Sequence, residues 1–195
     1  MVVAVCGSPG AGKTTVASAT ARRLRVPHLH RDQFKNGLGL SSASVTKDGG
    51  IQFEQGFQVS GGPFSLRAED VMVDAARLLA SSRVSFVVEN SVLSHKLLDA
   101  LLACDARVLA VHVVAREAVI GERLRARAAL IDAEKTTIDL ASSAQQLAAQ
   151  FQRGEMKRSI FEPPGRVDAV VEIDTSDHEN PVIEPIEAAV VALLR

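Results

Sequence analysis

Short apolar runs alternate along the chain with longer stretches in which apolar residues recur every three or four positions. The runs at 2–6, 26–30, 83–89, 107–114 and 167–174 predict five strands, and the unbroken apolar run 2–6 is that of a buried parallel strand. Between them the spacing predicts helices over 15–24, 66–81, about 97–102, from Arg116 onward, 140–157 and 181–195. Strand and helix therefore alternate as in an α/β domain. The departure is the stretch 36–65, which holds seven of the 13 glycines together with Phe53, Phe57 and Phe64. It reads as a loop-rich insertion in which Ile51-Gln52-Phe53 and Phe57-Gln58-Val59 pair as a small hairpin around Glu54-Gln55-Gly56. Its apolar face either covers a substrate pocket or packs as a satellite cluster.

Composition narrows the class. With 195 residues and 47% hydrophobic content, one domain spanning 1–195 is expected. A net charge of −1 argues against a broad electrostatic grip on nucleic acid or anionic membrane. Cys6 and Cys104 form neither a disulfide framework nor a metal-type pair. No leader-like or membrane-length apolar run is present, so a cytoplasmic protein is expected. Oligomeric state is not legible in the pattern.

The chemistry begins where the first strand ends. Gly7-Ser8-Pro9-Gly10-Ala11-Gly12-Lys13-Thr14 matches the phosphate-binding loop pattern at every position, between a strand and a helix as that loop requires. Its glycines let successive backbone N–H groups converge on a phosphate. Lys13 places a charge against the outer phosphates, and the Thr14 hydroxyl suits Mg²⁺. The nucleotide-contacting stretch is read as Gly7 to Thr15, with ATP and Mg²⁺ as the cofactors. Asp32 follows the second strand, on the same rim of the sheet as the loop. It is read either as the general base toward an acceptor hydroxyl or as a helix cap. Lys35, three residues on, is placed to meet the acceptor or the γ-phosphoryl. Glu89 ends the third strand as a ligand to Mg²⁺, its water, or the acceptor. At ~100° per residue Arg116, Arg123 and Arg127 share one helix stripe. That stripe is either a lid over the nucleotide, spanning about 116–139 with Arg123 and Arg127 as its catalytic members, or a solvated face. His112, inside a strand, is read as a core residue.

Gly7 to Thr15, Arg31-Asp32-Gln33-Phe34-Lys35, the strand ending in Glu89, Arg123 with Arg127, and Val171-Glu172-Ile173-Asp174-Thr175 together resemble the small P-loop kinases. The Asp-then-basic arrangement after strand two is similar to polynucleotide 5′-hydroxyl kinases. Asp48-Gly49-Gly50-Ile51-Gln52-Phe53 and Gly61-Gly62-Pro63-Phe64 are more similar to chloramphenicol phosphotransferase. Glu89, Asn90 and Lys35 depart from the residues usual in those groups. The resemblance implies a three-layer α/β/α P-loop NTPase fold, with a five-stranded parallel sheet in the order 2-3-1-4-5 and a helical lid. It further implies transfer of the γ-phosphoryl of ATP to a hydroxyl of a small molecule such as an antibiotic, nucleoside or sugar derivative. A polynucleotide 5′-hydroxyl kinase and a nucleotide-dependent ATPase switch are the alternatives.

Overall fold

The computed structural model describes residues 1–57, 59, 61–134, 141–177 and 181–195. Its elements are β1 (Val2–Cys6), α1 (Lys13–Leu24), β2 (His28–His30), α2 (Arg31–Ser42), β3 (Ser44–Val45), β4 (Ile51–Gln52), α3 (Pro63–Ser81), β5 (Phe86–Glu89) and α4 (His95–Leu102). They continue with β6 (Val108–Val114), α5 (Glu117–Glu134), α6 (Ala141–Gln152), a 3-10 turn over Arg158–Phe161, β7 (Ala169–Asp174) and α7 (Glu184–Leu194). Five strands pair in parallel in the order β2-β5-β1-β6-β7. With the separate β3-β4 pair left out of the count, this is the expected 2-3-1-4-5.

The central strand shows why its sequence is unbroken apolar. Val2, Ala4 and Cys6 face one buried layer with Met72 and Val73 of α3 and Leu97, Leu98 and Leu101 of α4. Val3 and Val5 face the opposite layer with Val16 and Ala17 of α1 and Ile186 and Val190 of α7. Both faces of the strand are dry, so a polar residue has no outlet on either. Burial also pushes the Cys6 thiol up to about 12. His112, on β6, is buried with Nδ1 3.4 Å from Glu172. Among the described residues no helix is long and apolar enough to cross a membrane.

Four strands start later than expected: β6 by one residue, β2 and β7 by two, and β5 by three. Pro27 has no N–H to give a ladder and contributes only its carbonyl, which accepts from the Val87 N–H at 2.9 Å. Arg83 stands at φ 59, the left-handed residue that ends α3, so β5 begins only at Phe86.

The insertion differs more. Helix α2 runs on to Ser42 through Gly37 and Gly39, although each glycine costs a helix roughly 1 kcal/mol. Packing explains Gly39: a Cβ there would lie 2.2 Å from the Phe57 ring. The hairpin pairs Ser44–Val45 with Ile51–Gln52 rather than 51–53 with 57–59. Its turn is Thr46 to Gly50, closed by Thr46 N–H to the Gly50 carbonyl at 2.9 Å, with Gly49 at φ 84. The Glu54-Gln55-Gly56 turn folds Phe57 back onto Phe53, with ring centroids 4.4 Å apart, and edge-on to Phe64 at 5.6 Å. The aromatic trio thus joins α2 to α3 as a satellite cluster.

Helices α5 and α6 share a small cluster of Ile120, Leu124 and Ala148, flanked by Leu147, Phe151 and Met156. Residues 135–139 of the expected lid lie outside the described residues.

Two glycines make a paired prediction. Gly7 sits at φ 141, and a Cβ there would stand 2.1 Å from the Val113 carbonyl oxygen, a backbone atom that cannot swing away. Gly7→Ala is expected to destabilise by about 3 kcal/mol or more. Gly37, helical with nothing within 4 Å of its added Cβ, is the contrast. Gly37→Ala is expected to stabilise by roughly 0.5–1 kcal/mol. Urea midpoints of the two variants check both signs.

Candidate active site

Parallel strands leave the sheet in one direction, so every loop at their C-terminal ends meets on one rim. The phosphate loop follows the middle strand. On one side of it stand His30, Arg31 and Asp32 at and after the end of β2, with Glu89, Asn90 and Ser91 at and after that of β5. On the other stand Thr175, Ser176 and Asp177 after β7. The cleft between them has a volume of about 1020 Å³ and is lined further by residues of α5, α6 and the 3-10 turn, among them Arg123, Arg127, Leu147 and Phe161.

Pro9, Gly10, Gly12, Lys13, Thr14 and Thr15 line this cleft, whereas Gly7, Ser8 and Ala11 build the loop from behind. Gly10 and Gly12 take φ 84 and 90, which glycine alone adopts without strain. Lys13 Nζ donates to the Ser8 carbonyl at 3.0 Å and is 9% exposed. Burial pushes its ammonium down to about 8, against the attraction of Glu89 and Asp32.

Glu89 is buried at the end of β5, and its Oε1 accepts from the Thr14 hydroxyl at 2.7 Å. Its Oε2 has His28 Nε2 at 3.4 Å and His30 Nε2 at 3.6 Å but completes no hydrogen bond, and neither does His28 Nε2. Burial alone would raise this carboxyl; the His28 contact, then His30, Thr14 and Lys13, outweigh it and hold it below the usual range. A buried anionic oxygen without a donor, beside a threonine hydroxyl, fits a hard divalent cation. Thr14 and Glu89 are the two groups that would hold Mg²⁺. Among the described residues no three His, Cys, Asp or Glu side chains are grouped to hold a metal by themselves. This agrees with an ion that keeps water and phosphate oxygens as its remaining ligands.

Asp32 lies in the first turn of α2, where His30 is the cap residue, so it is not the cap. Its side chain is 56% exposed and opens into the cleft. Partial loss of hydration would raise its pKa. Arg31, which donates to Oδ1 through Nε at 3.3 Å and Nη2 at 3.1 Å, wins with help from His30 and Lys13 and holds it ionised.

Lys35 is turned away. Its Nζ donates to the Val59 carbonyl at 3.3 Å and lies 5.5 Å from the centre of the Phe57 ring, and it does not line the cleft. Helix α2 forms as Lys35 needed, but the basic residue that the cleft receives is Arg31. Phe53, Phe57 and Phe64 are likewise absent from the lining, so of the two readings of the insertion the satellite cluster is the one observed and the pocket cover is not.

The arginine stripe divides three ways. Arg116 precedes α5 and is paired through both terminal nitrogens with Asp177. Arg123 is a bracket: Nη1 donates to the Thr175 hydroxyl at 2.9 Å and Nη2 to the Thr175 carbonyl at 2.8 Å. Arg127 is exposed, lines the cleft, and is near enough to Lys13 to lower its pKa. Thr175, Arg31 and the histidine pair are site residues that the pattern of the sequence does not single out. The one signal for Thr175 is a hydroxyl residue directly after the strand-ending Asp174.

The chain is similar in structure to a candidate kinase of Chloroflexus aurantiacus, with a TM-score of 0.71 at 20% identity over 100% of this chain and 98% of that one. A sugar kinase of Janibacter follows at 0.53 and 19% identity, over 98% and 93% of the two chains. The APS kinase of Mycobacterium tuberculosis, solved with AMPPNP and APS, gives 0.50 and 17% identity over 99% and 96%. At such identities the likeness carries the fold, which is that of the P-loop NTPases. No curated protein matches the sequence. The AAA domain model matches residues 2–152, most of the chain, and the protein belongs to that family.

Proposed function

We propose that the protein transfers the γ-phosphoryl of ATP to a hydroxyl of a small molecule. The observation that carries this reading is the placement of the ionised Asp32 carboxylate. It opens into the same cleft as Lys13 and the Thr14–Glu89 pair. A nucleotide holder needs the loop alone, whereas a carboxylate beside the outer phosphates gives an attacking hydroxyl a place to leave its proton.

In the reaction as proposed, Asp32 accepts a hydrogen bond from the acceptor hydroxyl and orients it on the γ-phosphorus. The new oxygen–phosphorus bond forms, the bond to the β-phosphate oxygen breaks, ADP departs, and the hydroxyl proton goes to Asp32. Lys13 and Arg127 offset the charge spread over the phosphoryl oxygens, a stabilisation that grows in a site shielded from water. Mg²⁺, when bound by Thr14 and Glu89, would offset charge on the β- and γ-oxygens. A small acceptor is favoured over a polynucleotide because Lys35 is committed to Val59 and the net charge is −1. The sugar kinase and the APS kinase that share the fold are named for small-molecule acceptors, which agrees with this choice.

The test is ADP release from ATP and Mg²⁺ across a panel of polyols, hydroxy acids, nucleosides and hydroxylated antibiotics. Stimulation by one class, with phosphate found on its hydroxyl, is the expected result. A rate that no acceptor changes would sink the proposal and favour an ATPase.

A further inference from the structure

Thr175 follows β7 directly, is 7% exposed, and has every polar atom engaged. Its N–H donates to the Val114 carbonyl at 2.9 Å, and its own carbonyl accepts from Arg123 Nη2. The hydroxyl accepts from Arg123 Nη1 at 2.9 Å and donates to the Ala11 carbonyl, inside the phosphate loop, at 2.7 Å. The Val114 carbonyl is also within 3.4 Å of that hydroxyl, but a hydroxyl carries one proton and the shorter, better contact takes it.

The consequence follows from peptide geometry. In a planar trans peptide the carbonyl and the next N–H point to opposite sides. With the Ala11 carbonyl tied to Thr175, the Gly12 N–H is turned the other way. Gly12 is also where side-chain space runs out, since a Cβ there would lie 3.3 Å from Thr175 Oγ1. Arg123 also touches the preceding peptide, through Nη1 at 3.4 Å from the Gly10 carbonyl.

We propose that Thr175 is a positioning residue of the phosphate loop. Its hydroxyl fixes the direction of the Gly12 N–H toward a bound triphosphate and couples the loop to Arg123 on α5. This rests on the loop holding a triphosphate and is independent of the acceptor.

Titration calorimetry with MgATP and with Mg-tripolyphosphate, which has no base, tests it. Thr175→Val keeps the shape and strips the hydroxyl, leaving the Ala11 carbonyl without its donor; Thr175→Ser keeps the hydroxyl. Valine is expected to weaken both ligands by the same factor, on the order of tenfold, and serine to stay within about threefold of the wild type. Weakening of MgATP with tripolyphosphate unchanged would overturn the proposal by moving Thr175's role to the base. So would a valine variant that binds like wild type, or a serine variant as weak as valine. Should valine fail to fold, Thr175→Cys, of similar size with a weak S–H donor, takes its place with the same expectations. A wild type that binds neither ligand would overturn the loop's role and this one with it. Binding of MgATP without transfer to any hydroxyl would count against the proposed reaction alone and leave this role to the valine and serine comparison.

Discussion

Lys13→Met is expected to give a folded protein that binds MgATP at least about a hundredfold more weakly, yet melts at pH 7 no lower than the wild type. The loss of binding follows from removing a charged donor from a nearly dry site, where a hydrogen bond between opposite charges is at its strongest. The stability result follows from the ammonium's environment. Lys13 is 9% exposed, and burial carries its pKa from 10.5 down to about 8. A lysine whose folded pKa lies below its unfolded value binds fewer protons folded than unfolded, so its charge opposes folding. The penalty is complete below about pH 8, shrinks as pH rises from there toward 10.5, and is absent above. A displacement of that size corresponds to about 3 kcal/mol. The attraction of Glu89 and Asp32 is already contained in that displacement, so the penalty is what burial imposes after those partners have acted. Differential scanning fluorimetry from pH 6.5 to 10 should show any advantage of the variant narrowing toward the alkaline end. A midpoint several degrees below wild type at pH 7 would show that the lysine supports the fold instead of taxing it.

The placement of Lys13, Thr14 and Glu89 was legible because each sits at a fixed offset from a buried strand, β1 or β5, and that of Asp32 because it follows the short, half-buried β2 beside them. A fully apolar strand can be read in only one way, and in a parallel sheet its carboxyl end has one destination. The insertion was not legible for a converse reason. Gly37 and Gly39 argue locally against a helix, and the partner that accounts for Gly39, Phe57, arrives only after the β3-β4 hairpin. Phe57 carried the same ambiguity: its alternation with Val59 suggested a strand, while its use is to fill the space that Gly39 leaves. Side-chain direction was lost in the same way. Spacing placed Lys35 one helical step beyond Asp32, but the Val59 carbonyl and the Phe57 ring decide where its ammonium goes. The arginine stripe held a correct periodicity with three different outcomes, because Asp177, Thr175 and the open cleft each claim one residue. Thr175 was visible only as the residue that follows the last strand, and its role was not, since its partners are the Ala11 carbonyl and a guanidinium on another element.

Asp32→Asn separates the proposed chemistry from everything else the residue does. The asparagine is expected to lower kcat by about 10²–10⁴-fold, the usual contribution of a positioned general base, with the MgATP Kd within about threefold of wild type. Shape and acceptor capacity are retained: an amide oxygen can still receive the Arg31 guanidinium, which now reaches Oδ1 through Nε and Nη2. What is lost is the negative charge, whose structural uses are its place in the first turn of α2 near the helix's positive end and its attraction to Arg31, His30 and Lys13. At an exposed position such an interaction is worth about 0.3–1 kcal/mol, far short of the two to four decades expected in rate. The two roles therefore predict different observations. A base gives a large fall in kcat with a small change in melting temperature, whereas a purely structural carboxylate gives a change in melting temperature and a rate that follows only the folded fraction. The ionised state matters as well: Arg31 leads the groups that hold the Asp32 carboxyl below its ordinary range, so the base is already unprotonated at neutral pH. Retention of kcat within about tenfold in the asparagine variant, or loss of MgATP affinity in step with kcat, would remove Asp32 from the reaction and leave the cleft as a nucleotide site alone.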